Sequence, residues 1–164
     1  VDLVIGAEEV ITSLSDKDIV SIPLLREDFV TVVGPDHLLA SSLGADDSTR
    51  PVRQLAFRPG SGPLELLAKM QPLLPTNRFA TLPTFTVLPI LALLTGTAAF
   101  VPRMIATRFA SFLPLTIVEG VGPRTEVTIC MAWHHRWQED GGHRWLRELI
   151  AERCTQTTNR NADL

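Results

Sequence analysis

The sequence has little clustered positive charge and no long apolar run. Its 164 residues include two lysines, Lys17 and Lys69, which stand far apart, and the formal net charge is −3. Modules that bind duplex nucleic acid usually present a basic face, and no cluster of Lys and Arg residues provides one here. No apolar run reaches the roughly 18 residues that a membrane-spanning helix needs. These absences argue against nucleic acid and the lipid bilayer as direct partners.

Cysteine is also scarce. Cys130 and Cys154 are spaced neither as a zinc ribbon nor as a redox CxxC pair, so both are expected to be free thiols, buried or half-buried. The N-terminus has neither the charged region nor the cleavage site of a signal peptide. With no disulfide framework and no export signal, the cytoplasm is the expected location.

Patterns that support catalysis or metal binding are weak. His134, His135 and His143 lie near one another, but adjacent histidines after a strand point to opposite sides, whereas zinc needs three or four converging ligands. Ser61 lacks the G-x-S-x-G spacing of a nucleophile elbow, and the glycines of 58–63 fit neither GxGxxG nor Walker spacing. We therefore expect no catalytic residue, no metal site and no cofactor, and interpret Ser61 as a helix cap.

The sequence has instead an alternation of strands and helices, which is typical of the α/β class. The nearly continuous apolar run at 1–5 is typical of a strand covered on both sides. Extended segments are also predicted at 19–25, 29–33, 52–57, 78–82, 97–101, 115–118 and 125–133. Residues 7–18 and 41–50 are predicted to be irregular and polar. Because the chain begins within a predicted buried strand and has no initiator Met, it is interpreted as a fragment.

Local signals set the expected helix boundaries. Thr84 or Thr86 is predicted to cap a helix that runs to about Leu94, with Pro89 tolerated in its early turns. Gly96 is predicted to stop it. Pro102 is predicted to open another short helix.

The C-terminal region is expected to form a strand and an amphipathic helix. In 125–133, Val127, Ile129, Met131 and Trp133 alternate with other residues, which predicts a half-buried strand. Asp140 is predicted to cap the last helix. Its inward-facing residues are expected to be Trp145, Leu146, Leu149 and Ile150. From Thr155 the chain is polar and is expected to be a disordered tail.

The order of these segments resembles the effector-binding (substrate-binding) domain of LysR-type transcriptional regulators. Residues 24–37 resemble that family's chain-crossing strand. The strand leads into Gly-Pro-Asp-His-Leu-Leu-Ala at 34–40, similar to the family's Asp-His-Pro-Leu-Ala stretch with Leu38 in place of the usual proline. The Leu-Pro-Thr-Phe segment at 82–85 and the Gly-Thr to Val-Pro segment at 96–102 resemble the branch that includes nodulation and aromatic-acid-responsive regulators.

The resemblance implies a fold like that of type 2 periplasmic binding proteins, in which two α/β lobes are joined by two crossover strands. Lobe I would hold residues 1–25 and 117–154, lobe II would hold 26–116, and 155–164 would be the tail. Lobe I is expected to be incomplete at its N-terminus, because the DNA-binding domain, the linker helix and the first strand, helix and strand of the lobe are absent. The ligand is expected to lie between the lobes.

Three of the candidate ligand contacts combine this resemblance with local chemistry. Thr84 and Phe85 are placed where a helix N-terminus offers free N–H groups to a carboxylate, with capping alone as the alternative for Thr84. Arg26, beside the first crossover, would pair with an anionic ligand in a bidentate manner. The alternative for Arg26 is an ion pair with Glu27 or Asp28.

Four more candidates follow from the expected position of strand ends. Gly6 and Ala7 would end a strand at the carboxyl edge of a sheet, where α/β proteins place ligands, and a tight turn is the alternative. Thr97 and Phe100 would line the wall of the site, with core packing as the alternative for Phe100. Trp133 and Trp145 are assigned to the core of lobe I.

The resemblance implies a non-enzymatic sensor that binds a small, anionic or aromatic metabolite. Binding would shift an equilibrium of lobe or dimer arrangement. The expected partners are this effector and further copies of the chain, as a dimer or tetramer, with DNA bound only through the missing N-terminal domain. An extracytoplasmic solute-binding protein shares the bilobal plan and is the alternative. An α/β enzyme is a third possibility, which lacks a converging nucleophile and base. The residues before Val1 distinguish the first two, because a helix-turn-helix favours the regulator and a signal peptide favours the solute-binding protein.

Overall fold

The structure is a computed structural model. It describes residues 2–13, 18–41, 52–58, 78–121 and 125–162. The predicted helix that Ser61 would cap lies outside these ranges, as does nearly all of the predicted loop at 41–50. The chain forms two compact units: Val1–Glu27 with Val127–Leu164, and Asp28–Glu126. The assignment of residues to the two lobes of the resembling family, with boundaries after 25 and 116, stays a prediction.

Strands and helices alternate along the described chain, which confirms the α/β class. The elements in chain order are β1 (Leu3–Ala7), α1 (Glu8–Thr12), β2 (Ile19–Val33), α2 (Leu38–Ser41), β3 (Gln54–Phe57), β4 (Arg78–Leu82), α3 (Leu88–Thr95), β5 (Ala98–Pro102), α4 (Arg103–Ala110), β6 (Thr116–Val118), β7 (Glu126–His134), a 3-10 helix (His135–Trp137) and α5 (Gly141–Ala162). The two extended segments predicted at 19–25 and 29–33 form the single strand β2. Within the described residues, no helix combines the length and apolar character that crossing a membrane requires.

The first unit is built on β7, which lies between β1 and β2. β1 and β7 run antiparallel, with Leu3 opposite Trp133 and Ala7 opposite Ile129. On the side of β2, the N–H of His135, directly after β7, donates to the carbonyl of Asp18, directly before β2, at 2.6 Å. A small apolar core forms between this sheet and α1. It contains the buried residues Ile11, Cys130 and Ala132, with Val4 and Ile19 packed against them.

Three predictions for the first unit are wrong, each for a physical reason. β1 is not covered on both sides, since Ile5 is 49% exposed and the strand pairs only with β7 in the part of the chain that the structure describes. Residues Glu8–Thr12 are helical rather than irregular, because a five-residue helix is too short to show a period. The residues of β7 do not alternate between buried and exposed as predicted. Cys130 and Ala132 are as buried as Trp133, since Ile11 covers their face.

The last helix starts as predicted but buries a different face. The carboxylate of Asp140 accepts the N–H of His143 at 2.7 Å, which confirms the predicted cap. Trp145 is 64% exposed, so its assignment to the core is wrong, and Leu146 is also exposed. Arg147 is the buried residue of this part of the helix, because the turn before α5 supplies polar partners on that side. Trp133 is in the core as predicted.

The predicted polar tail from Thr155 continues the helix as far as Ala162, where a disordered segment was expected. Polar side chains support this turn locally. The hydroxyl of Thr155 donates to the carbonyl of Ala151 at 3.0 Å, and the amide of Gln156 donates to the carboxylate of Glu152 at 3.1 Å. Pairs four residues apart meet on one helical face, so polar residues prolong the helix here.

The second unit contains a mixed sheet in the order β6, β2, β5, β3, β4. β2 pairs antiparallel with β6 and β5, whereas β3 pairs parallel with both β5 and β4. Helices α3 and α4 cover one face of this sheet. The core on that face contains Val30, Val32, Leu55, Phe57, Leu88, Ala92, Ala99, Val101 and Ala106. Because β3, β4 and β5 are parallel, their carboxyl ends lie at one edge of the sheet.

Helix α3 begins later than its sequence signals predicted. It starts at Leu88, and the capping residue Val87 provides no side-chain cap, so the prediction that Thr84 or Thr86 caps this helix is wrong. Pro89 does lie in the first turn, as predicted. Gly96 ends the helix in the left-handed conformation with φ 62°, which confirms the predicted stop.

Candidate functional site

The carboxyl edge of the three parallel strands is the candidate site in the second unit. The N–H of Arg58, directly after β3, donates to the carbonyl of Leu82 at 2.7 Å, so the ends of β3 and β4 are held together. Thr84 and Phe85 follow the end of β4 and therefore lie at this edge. Open α/β sheets place ligands outside the carboxyl ends of their strands. The structure thus puts two of the predicted contact residues where such folds bind small molecules.

Four phenylalanines form a connected aromatic group at this edge. The Phe85 ring stacks on Phe57 with centroids 4.0 Å apart and lies edge-on to Phe29 at 5.7 Å. Phe29 in turn stacks on Phe100 at 5.4 Å. Phe57 and Phe100 are buried, whereas Phe29 and Phe85 are half-buried and keep part of their rings accessible. These two rings can offer an apolar surface to a ligand.

Thr84 and Thr97 each share a hydroxyl contact with a neighbouring threonine. The hydroxyls of Thr84 and Thr86 are 2.9 Å apart, and three residues separate Thr84 from the start of α3, so Thr84 does not occupy the helix N-terminus. The hydroxyl of Thr97 lies 2.8 Å from that of Thr95, which donates to the carbonyl of Leu91. Thr97 is fully buried. Phe100 is 2% exposed, which agrees with the alternative of core packing for that residue.

An ion-pair cluster that the sequence did not predict lies beside β5. The guanidinium of Arg103 donates through Nε to both carboxylate oxygens of Asp28 at 2.7 and 2.9 Å. Its two terminal nitrogens donate to the two carboxylate oxygens of Glu119 at 2.7 and 2.9 Å. These bonds hold the pKa of Glu119 below its usual value and raise the pKa of Arg103. The three residues come from distant parts of the sequence, so no local pattern could have revealed the cluster.

The first unit holds the other three predicted contact residues. Gly6 and Ala7 are the last residues of β1, opposite Cys130 and Ile129, and α1 follows directly. The chain changes from strand to helix at Ala7, so the ligand contact and the alternative of a tight turn both stay predictions. Ala7 is buried, and a Cβ added at Gly6 would meet no atom within 4 Å. Arg26 lies on β2 and is exposed.

Two of the histidines near the C-terminus, His134 and His143, form hydrogen bonds within the protein. Nδ1 of His143 accepts from Arg147 at 2.6 Å, so its Nε2 carries the proton and donates to the carbonyl of Asp2 at 3.0 Å. Its ring stacks with Trp137. His134 accepts a backbone N–H through Nδ1. Among the described residues, no three or more His, Cys, Asp and Glu side chains converge in a way that would hold a metal ion.

Arg147 binds only neutral groups among the partners found for it. Its guanidinium donates to the carbonyls of Trp137 and Gln138, both at 3.1 Å, and to His143. It also lies 4.4 Å above the ring of Trp133. This buried cation therefore fixes the turn between β7 and α5. It has the position of a structural residue and not of a free binding group.

Two further titratable groups are perturbed by burial. Burial lowers the pKa of His37, whose Nδ1 accepts the N–H of Leu39 at 3.1 Å. Burial also raises the pKa of the Cys130 thiol, with the acidic residues Glu8 and Glu9 as smaller causes. Neither Cys130 nor Cys154 forms a disulfide, as expected from their spacing. A buried thiol with a raised pKa is a poor nucleophile, so Cys130 has the chemistry of a core residue.

Comparison with known proteins agrees with this architecture. Residues 1–155 match the family described as LysR substrate binding domain. The chain is 44% identical over 57 residues to the HTH-type transcriptional regulator SyrM 1 of Sinorhizobium fredii, which covers 35% of this chain and 17% of that protein. It is 34% identical over 62 residues to SyrM of Rhizobium meliloti, covering 38% and 19%. The chain thus spans less than a fifth of the curated relatives that it matches.

Solved structures show the same fold at low identity. A candidate transcriptional regulator from Vibrio parahaemolyticus has a TM-score of 0.74 at 19% identity, over 98% of this chain and 73% of that one. The regulatory domain of CrgA, a LysR-type transcriptional regulator from Neisseria meningitidis, has a TM-score of 0.71 at 14% identity, over 94% and 76%. Sequence and fold therefore point to the same kind of domain.

Proposed function

Because this chain belongs to the LysR substrate-binding domain family, we propose that it senses a small-molecule effector on behalf of a transcription regulator. The observation that carries the proposal is the family match over residues 1–155, together with a carboxyl edge of parallel strands that presents half-buried aromatic rings. The resemblance stated from the sequence is confirmed. That the effector lies between two lobes stays a prediction.

The proposed mechanism is a shift between conformations. An effector that binds one arrangement of the regulator better than another moves the equilibrium toward it, by no more than its difference in affinity. Signal transfer then requires no chemical step. Accordingly we propose that the chain is not an enzyme and uses no cofactor or metal.

The seven predicted contact residues have two kinds of role in this proposal. Gly6 and Arg26 in the first unit are proposed to contact the effector, as are Thr84 and Phe85 in the second. Ala7, Thr97 and Phe100 are buried, and they are proposed to support the contact residues from behind. Thr97 bonds to Thr95 and Phe100 stacks on Phe29.

The whole regulator is proposed to act in the cytoplasm as a dimer or tetramer, and to bind DNA through a separate N-terminal domain. The proposal is supported by relatives that are named HTH-type transcriptional regulators. The same names favour the regulator over the alternative of an extracytoplasmic solute-binding protein. Net charge agrees as well, because a chain at −3 is not suited to bind duplex nucleic acid by itself.

A thermal-shift screen against a panel of metabolites tests the proposal, followed by titration calorimetry on each compound that raises the melting temperature. Thr84→Val removes the hydroxyl at the carboxyl edge while keeping the shape of the side chain. Loss of one neutral hydrogen bond is expected to weaken effector binding roughly two- to tenfold. Thr107→Val is the matched control, since Thr107 is an exposed threonine on α4 and is not part of the segment that follows β4.

A folded chain that responds to no compound in the panel, also within the full-length regulator, would contradict sensing. Equal weakening by Thr84→Val and Thr107→Val would instead contradict the position of the site. Hydrolysis or modification of a panel compound by the purified chain would favour the enzyme alternative. Each outcome thus addresses a different part of the proposal.

A further inference from the structure

The chain passes between the two compact units at two places. The first passage, between residues 27 and 28, lies within β2, and the second, between residues 126 and 127, lies at the start of β7. β2 and β7 are neighbours in the sheet, and the N–H of Phe29 donates to the carbonyl of Thr125 at 3.1 Å. The two connecting strands are thus bonded to each other where they enter the second unit.

Backbone pairing with the rest of the second unit begins just beyond these passages. β5 and β6 lie on opposite edges of β2, since both pair with its residues 31 and 32. The ladder between β2 and β5 begins with Phe29 opposite Pro102, and the ladder between β2 and β6 begins with Thr31 opposite Val118. The residues next to these first pairs decide how firmly the strand ends stay together.

Arg103 joins the strands at the point where both ladders begin. It directly follows Pro102, and its Nε donates to both carboxylate oxygens of Asp28, which directly precedes Phe29. Its two terminal nitrogens donate to both carboxylate oxygens of Glu119, which directly follows β6. Because β5 and β6 lie on opposite edges of β2, these bonds link both edges of that strand. We call the three charged residues the Arg103 clamp.

The clamp combines specific geometry with partial exposure to solvent. Four carboxylate oxygens accept from one planar guanidinium, a fork of donors that lysine does not have. The side chains of Arg103, Asp28 and Glu119 are 39%, 47% and 63% exposed. Exposed ion pairs are weak and are screened by salt. The clamp can therefore open while the apolar core of the second unit stays intact.

The segment next to the clamp is the narrow part of the sheet. β1 pairs with β7 from Ile129 to Trp133, and β5 pairs with β2 from Phe29 onward. Between these two ladders, β2 and β7 have only each other as sheet neighbours among the described residues. Two-stranded ribbons twist more and are less stable than wide sheets. Bending of the connection is thus expected here, at the side of the second unit that the clamp closes.

We propose that Arg103 is a positioning residue that limits bending of the two connecting strands, because its ion pairs fix both of them to the second unit. With the clamp closed, the strands leave that unit in one direction. With the clamp open, the backbone bond between Phe29 and Thr125 restrains them less. This conformational role goes beyond the proposed sensing function and does not depend on it, so it is tested without an effector.

Amide exchange followed by NMR on the 164-residue chain measures local opening at the clamp. Arg103→Gln is expected to speed the exchange of the Phe29 amide roughly five- to thirtyfold, since two partly exposed ion pairs are lost. The Ala98 amide, which donates to the carbonyl of Arg53 at 2.9 Å, is the internal reference and should change by less than about twofold. Arg108→Gln makes the same change of charge at an exposed position of α4 and should leave the Phe29 amide as it is.

Shape and salt separate the clamp from a general loss of packing. Arg103→Lys keeps the charge but loses the fork of donors, so it should give an intermediate increase in exchange. Raising the salt from about 0.1 M to about 1 M should speed exchange of the Phe29 amide in the unmodified chain, because salt screens the ion pairs. The same salt should have little effect on Arg103→Gln. An equal salt effect in both chains would contradict the clamp.

Distances between two spin labels measure bending of the connection itself. Thr81→Cys on β4 and Glu148→Cys on α5 place one label in each unit at exposed positions. Cys154→Ser removes the half-buried thiol, so that only the introduced cysteines react readily. Double electron–electron resonance is expected to give a broader distance distribution when Arg103→Gln is added. The control Arg108→Gln should keep the original width.

Two results would overturn the proposal. One is a rise in Phe29 exchange no larger than that of Ala98, which would reduce Arg103 to general stability. The other is an unchanged distance distribution despite faster Phe29 exchange, which would show that the clamp does not limit bending. If urea unfolding shows that Arg103→Gln does not fold, Glu119→Gln removes one of the two ion pairs and permits the same tests with a smaller expected effect. Either refutation leaves the sensing function intact.

Discussion

Two leucines of helix α3 provide a direct test of the packing in the second unit. Leu88 is fully buried in the core between α3 and the sheet, whereas Leu94, six residues further along the same helix, is 74% exposed. Replacing either by alanine removes the same three carbon atoms from the same helix. The difference between the two variants therefore measures burial and not helix propensity.

The expected magnitudes follow from these exposures. At about 0.8 kcal/mol for each buried CH₂ group, Leu88→Ala loses about 2.4 kcal/mol of transfer free energy. The cavity left behind raises the total to about 3–4 kcal/mol. For Leu94→Ala only about a quarter of the side chain is buried, so the loss is at most about 0.6 kcal/mol. For a chain of this size, the melting temperature should fall by about 6–16 °C in Leu88→Ala and by about 1–2 °C in Leu94→Ala.

Thermal and urea unfolding followed by circular dichroism measure both variants. Unchanged urea slopes would show that the difference lies in stability and not in the compactness of the unfolded chain. Similar losses for the two variants would refute the assignment of Leu88 to the core. A loss under about 1 kcal/mol for Leu88→Ala would do the same, because a fully buried leucine cannot be truncated at so small a cost.

Two further changes test local features. Arg103 holds the pKa of Glu119 below its usual value, so this pair stabilises the fold above the usual carboxyl pKa and the contribution is lost as pH falls through the lowered value. Glu119→Gln should therefore cost at most about 1 kcal/mol at pH 7, because the side chain is largely exposed. In acid unfolding, the difference from the unmodified chain should vanish as the pH falls through the lowered pKa of Glu119. A constant difference at all pH values would count against the ion pair. Gly96→Ala should lower the stability by about 1 kcal/mol in thermal unfolding, because φ is 62° and alanine is strained in the left-handed conformation. A clash adds nothing to this cost, since a Cβ at this position meets no atom within 4 Å. Gly96→Asn should cost less, and a stabilising alanine would contradict the left-handed conformation.

Features with a local cause could be predicted from the sequence. Gly96 ends a helix because a residue without Cβ adopts the left-handed conformation, and Asp140 starts one because its carboxylate accepts a nearby N–H. The positions of most strands along the chain were predictable for a similar reason. Apolar runs of four to nine residues between turn residues are typical of strands. The resemblance to LysR-type regulators added the family, which the periodicity alone did not supply.

Features that depend on distant parts of the chain could not be predicted. Whether Trp145 is buried depends on which face of α5 meets the preceding turn, and Arg147 takes that face through bonds to carbonyls. The coverage of Cys130 depends on Ile11, which lies on a helix too short to be seen in the sequence. Of the candidate contacts, the sequence favoured Arg26 for its position beside a crossover. It missed the ion pairs of Arg103 with Asp28 and Glu119, which join distant parts of the chain.

The neutral surroundings of Arg147 decide which residues can replace it. The side chain spans two carbonyls and an imidazole nitrogen, so it works as a branched crosslink for which shape matters more than charge. A lysine would bring the same positive charge on a single nitrogen and would lack the flat surface that lies against the indole of Trp133. Arg147→Lys, which keeps the charge, would thus weaken the packing between the end of β7 and the start of α5. A scale that scores substitutions by charge alone would rank it as harmless.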